Sequence, residues 1–99
     1  MKAKDYFKKY EARLVNTDTA HDAACELIQE FAHECSEMMK TRNAKSEKAV
    51  RAIIEELNNK WNALAGMFDG EVLKRNGWRD YFNFCVSQSL QKGGLTHHA

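Results

Sequence analysis

Apolar residues return along this chain at steps of three and four, the period of an α-helix, in four separate stretches. In the first, Ala3, Tyr6, Phe7, Tyr10 and Leu14 share one stripe of a helical wheel, leaving Lys4, Lys8, Glu11 and Ala12 outside it. Asn16, Thr17, Asp18 and Thr19 then supply a turn and a choice of N-caps, with Asp18 and Asp22 suited to the positive end of a helix dipole. The spacing predicts a second helix from there to about Lys40. Ala20, Ala24, Leu27, Ile28, Phe31, Cys35, Met38 and Met39 lie on one face of it, and Asp22, Glu26, Glu30, His33 and Glu37 on the other.

After a short polar connection, Ser46 is the expected cap of a third helix. Its apolar face is the cleanest in the chain: Ala49, Val50, Ile53, Ile54, Leu57, Trp61, Leu64, Ala65 and Phe68. Asp69-Gly70 is expected to end it, and Asn76-Gly77 breaks the chain again. Trp78, Tyr81, Phe82, Cys85, Val86 and Ser89 define a fourth, less amphipathic face. Phe84 and Leu90 fall away from that stripe, so this helix is either wedged between the others or offers apolar surface to a second chain. These elements predict an all-α fold: a small up-down bundle of about four helices built on a long antiparallel hairpin of the second and third. Residues 1–92 read as one helical domain and 93–99 as a flexible tail.

Composition agrees. The 99 residues contain no proline, 43% are hydrophobic and 29% charged, as suits one small globular domain free to be helical throughout. No apolar run approaches the roughly 20 residues of a membrane span, and the first residues lack the apolar core of a signal peptide. Cys25, Cys35 and Cys85 are odd in number and widely spaced, which reads as reduced thiols. A soluble, cytoplasmic protein is the expectation. The composition is also of the kind found in small accessory proteins of phage and mobile elements.

Charge changes the picture more. The formal total of +1 conceals blocks: +3 over residues 1–16, −6 over 17–39, +4 over 40–51, −3 over 52–71 and +3 over 72–99. An acidic face of Glu26, Glu30, Glu34 and Glu37 is therefore followed by a basic tip of Arg42, Lys45, Lys48 and Arg51. Segregated blocks steer partners of opposite charge. Cations at the start of the third helix also run against its dipole, so that tip is a candidate anion site.

Signals for chemistry are sparse. Glu30 and His33 have the E-x-x-H spacing of carboxylate-bridged metal bundles, but stand as one pair on the polar side where such sites need two facing inward. His21 and Cys25 share an i,i+4 spacing without a second ligand pair. No phosphate-binding loop, dinucleotide fingerprint, nucleophile elbow or H-E-x-x-H is present. No catalytic residue, metal or cofactor is therefore assigned. The expected function is non-catalytic: a protein-binding or inhibitor-type accessory protein acting through its charged helical faces, as a homodimer with Phe84 and Leu90 in the interface. The alternatives are a phosphate, nucleotide or nucleic-acid binder at the basic tip, disfavoured for a duplex by the acidic helix, and a metal protein or enzyme using Glu30 and His33.

Overall fold

A computed structural model of the protein describes residues 1–68, 72–73 and 77–92. Among these are four helices: α1 (Ala3–Val15), α2 (Ala20–Thr41), α3 (Glu47–Met67) and α4 (Trp78–Lys92). Asp69-Gly70, Asn76 and the tail from residue 93 lie outside the described residues.

The ends of the helices follow from local hydrogen bonding. At the start of α1 the Asp5 carboxylate accepts the Lys2 backbone N–H at 3.2 Å, satisfying a donor that the helix leaves free. Between α1 and α2, Asn16 Oδ1 accepts from the Asp18 N–H at 2.9 Å, an Asx turn. Thr19 is the N-cap residue of α2, yet its side chain does not cap; the hydroxyl instead donates to the Arg13 carbonyl at 2.7 Å and closes α1. At the far end of α2, Asn43 takes a left-handed φ of 48°. Its N–H reaches the Lys40 carbonyl and that of Ala44 reaches Met39, the paired bonds of a Schellman ending. Buried Ala44 and Met39 supply the apolar contact that accompanies this motif. Ser46 then caps α3 as expected, accepting the Ala49 N–H at 3.1 Å. Gly77, at φ 71°, occupies the left-handed region just before α4, where any side chain would be strained.

The four helices meet at one side chain. Phe31 of α2 is fully buried, stacked on Tyr6 of α1 at 4.7 Å and edge-on to Trp61 of α3 at 5.5 Å and to Phe82 of α4 at 5.4 Å. Contacts between the helices set their directions. Tyr6 pairs with Glu34 and Tyr10 with Glu30, so α1 and α2 are antiparallel. Arg42 pairs with Glu56 and Glu34 with Lys60, so α2 and α3 are antiparallel too and form the expected hairpin. Arg79 of α4 donates to Asn58 of α3 at 2.9 Å, while Trp61 packs on Phe82 at 4.8 Å.

α2 is the central element, and α4 lies closely along it. The approach is close on the side of α2 that carries the small Ala32, whose backbone carbonyl accepts a hydrogen bond from Ser89 of α4 at 2.9 Å. Ser89 is itself buried, and this bond satisfies the hydroxyl that α4 takes out of water.

Because Phe31 is the shared contact of all four helices, Phe31→Ala is expected to cost about 3–5 kcal/mol in urea denaturation. Val15→Ala, at a side chain 60% exposed, should change stability by no more than about 0.5 kcal/mol in the same assay.

Candidate functional site

The acidic row of α2 is not a bare surface. Tyr6 and Tyr10 lie one helical turn apart on α1, as Glu34 and Glu30 do on α2, and the two pairs coincide across the antiparallel interface. Both tyrosine rings are buried, so their hydroxyls need partners: Tyr6 donates to Glu34 Oε1 at 2.7 Å and Tyr10 donates to Glu30. Cations complete each carboxylate. Lys9 stands 2.8 Å from Glu30, and Lys60 reaches across from α3 to Glu34. Arg13 holds Glu26 with both terminal nitrogens, at 2.5 and 3.1 Å. Glu37, half exposed, has only a loose contact with Lys40 at 4.0 Å.

Electrostatics follow from that geometry. Burial, and then the facing carboxylates of Glu34 and Glu30, push both phenols well above the ordinary tyrosine range. The Arg13 guanidinium holds the exposed Glu26 carboxyl below the usual range, and Arg42 does the same for Glu56.

The basic tip divides in two. Arg42 is held by Glu56 through both terminal nitrogens, at 2.5 and 3.1 Å, and Arg51 by Glu47 at 2.6 Å, one turn away on the same helix. Lys45 and Lys48 are exposed and have no ion-pair partner among the described residues. A half-open groove of about 450 Å³ adjoins them, lined by Ser36, Met39, Lys40, Asn43, Ala44, Lys45 and Ser89.

The two apolar residues singled out in α4 separate. Phe84 stands out from the helix, 59% exposed. Leu90 is half-buried against the core and lines a smaller groove between α3 and α4 with Ile54, Leu57, Phe82 and Val86. The outward side of α4 also has a property that hydrophobic periodicity does not register. From Tyr81 to Gln91 the helix carries no charged residue, and its exposed positions are Asn83, Phe84, Ser87, Gln88 and Gln91.

The remaining candidates have local partners. Glu30 of the E-x-x-H pair is taken up by Tyr10 and Lys9, while His33 points to solvent. The His21 ring tilts against Trp78 at 5.3 Å, with Cys25 Sγ 3.9 Å from its Nε2. No group of three or more His, Cys, Asp or Glu is placed to hold a metal ion among the described residues. Burial pushes the Cys35 thiol up to about 11, so it stays protonated at neutral pH and is a poor nucleophile. No helix among the described residues is long and apolar enough to cross a membrane.

Compared with protein-family models, curated proteins and solved structures, the chain matches none.

Sequence reasoning placed Tyr6 and Tyr10 in the core and did not give their hydroxyls a destination. The signal lay in the matched i,i+4 spacing of tyrosines on α1 and carboxylates on α2. Both phenols have folded pKa values above the unfolded value, so their contribution to stability is complete below about pH 10 and is lost as pH rises beyond it, because the unfolded chain then releases protons that the folded one retains. Unfolding free energy should accordingly fall with pH on that alkaline limb, and Tyr6→Phe/Tyr10→Phe should flatten the decline when both proteins are denatured in urea across it.

Proposed function

We propose that the protein is a non-catalytic protein-binding module that works as a twofold homodimer joined through the outer face of α4. The observation that carries this reading is the combination of an exposed Phe84 with an eleven-residue stretch, Tyr81 to Gln91, that holds no charge.

A twofold interface sets each residue near its own copy across the axis, so any charge close to the axis meets a like charge. α1 exposes Lys4 and Lys8, α2 exposes Asp22 and Glu26, and α3 exposes Arg51 and Glu55. The outer face of α4 escapes that repulsion along this stretch. It shares with an interface centre the lack of charged residues and offers one exposed aromatic, Phe84. Asn83, Gln88 and Gln91 carry both donors and acceptors in one side chain, so each can pair with its own counterpart. Phe84 is the anchor that burial against a second copy would remove from water, and Leu90 with the α3–α4 groove offers apolar surface at its flank.

The internal pairing of Glu26, Glu30 and Glu34 further supports α4 over the acidic face as the principal contact. A partner approaching that row would have to displace Lys9, Arg13 or Lys60 before gaining a carboxylate. Glu26, Glu30 and Glu34 are thus assigned to holding α1 and α3 against α2.

Sedimentation equilibrium of the full chain at micromolar concentration should give the mass of a dimer. Phe84→Glu, which sets two carboxylates against each other near the axis, should give a monomer with an unchanged helical circular dichroism spectrum. A wild type that stays monomeric at high micromolar concentration, or a Phe84→Glu variant that remains dimeric, would remove α4 from this role.

A further inference from the structure

The groove at the end of α2 has a chemical character unlike the rest of the surface. Its floor is apolar, formed by the buried side chains of Met39 and Ala44, and buried Ser89 of α4 forms one wall. Its other polar groups are all able to donate: the Ser36 hydroxyl, the Asn43 amide and the ammonium groups of Lys40 and Lys45. No carboxylate lines it among the described residues.

The nearby arginines are committed to carboxylates, Arg42 to Glu56 and Arg51 to Glu47. The lysines are not. Lys45 has no ion-pair partner among the described residues, and Lys40 has only Glu37 at 4.0 Å, the loosest of contacts. Local helix physics explains Lys40, which sits at the negative end of α2, but gives no reason for Lys45, which precedes the positive end of α3.

We propose that this groove is a binding site for a small phosphomonoester, with Lys40 and Lys45 holding the phosphate and Asn43 and Ser36 supplying hydrogen bonds. Two ammonium groups match the nearly doubly charged phosphate better than a singly charged carboxylate. The fork of arginine would serve either anion, and both neighbouring forks are occupied, which leaves the lysines as the point charges open to a phosphate. The space of about 450 Å³ falls within the range of small-molecule pockets and exceeds what a bare phosphate fills, which leaves Met39 and Ala44 to face the organic part. This site lies apart from the outer face of α4 at Phe84 and does not depend on the dimer.

The probes are adenosine monophosphate, inorganic phosphate and adenosine, each titrated into the ¹⁵N-labelled full chain at constant ionic strength and followed by amide chemical shifts. Adenosine monophosphate is expected to saturate, with shifts concentrated at Ser36, Asn43, Ala44 and Lys45. Inorganic phosphate should shift the same amides more weakly, and adenosine should leave them unmoved. Lys40→Gln/Lys45→Gln, at two exposed positions, should weaken the monophosphate by about tenfold or more. Several results would overturn the proposal: linear shifts without saturation, shifts centred on other exposed lysines such as Lys4 and Lys8, or unchanged affinity in the double variant. An oligonucleotide that binds more tightly per phosphate than the monophosphate would likewise overturn it, in favour of a nucleic-acid surface.

Discussion

The burial of Phe31 constrains everything else in this fold. An aromatic ring at the middle of α2 that touches a ring from each of the other helices obliges α2 to be covered on three sides. Two small residues, Ala23 and Ala24, are completely buried among the aliphatic ones on the same helix. A helix enclosed in this way must bring part of its polar face under a neighbour. That neighbour is α1, and its tyrosines reconcile the two demands. Each ring fills space beside the aliphatic stripe, and each hydroxyl ends on a carboxylate that α2 could not otherwise place there without cost.

The sorted charge of the chain follows from the same arrangement. α1 is basic where it lies along acidic α2, and the basic turn after α2 folds back on Glu56 of α3. Individually such exposed or half-exposed pairs contribute little. Collectively they match the cations of α1 and Lys60 of α3 to the carboxylates of α2. Charges engaged in that way are poor docking points for a partner. Among the described residues two open surfaces stand out: the uncharged outer face of α4 around Phe84, and the uncommitted lysines beside the groove at the end of α2. The first favours a second copy of the chain, and the second a small anion.

Much of the fold was legible in the sequence, for identifiable reasons. The four helices and the α2–α3 hairpin are written in the 3.6-residue spacing of apolar side chains, and the Ser46 cap in residue type. The Thr19 hydroxyl was less legible, because the same group can serve the helix behind it as readily as the one ahead. The close packing of α4 along α2 was also hidden: a wheel ranks Ala32 as weakly apolar, whereas its value there is smallness. The acidic face could be seen as a row but not as an occupied one. Periodicity assigns a residue to a side of its helix and is silent on whether another helix lies over that side. Phe84 was singled out because it breaks the stripe of α4. Leu90 breaks it too, yet packs half-buried between α3 and α4. The groove residues Ser36, Asn43 and Lys40 come together only through the Schellman ending of α2, a three-dimensional feature with Asn43 as its single local clue.

If charge is spent inside the protomer and the surface of association is the neutral face of α4, salt should not dissolve the assembly. The most direct measurement is the dimer dissociation constant of the full chain by sedimentation, from about 0.1 M to about 1 M sodium chloride, over which the Debye length shrinks from ~10 Å to about 3 Å. The expected result is a dissociation constant that stays level or falls slightly as salt rises. Loss of the dimer across that range would place the contact on the charged faces of α1, α2 or the basic tip, and would contradict the assignment of those charges to the interior of the fold.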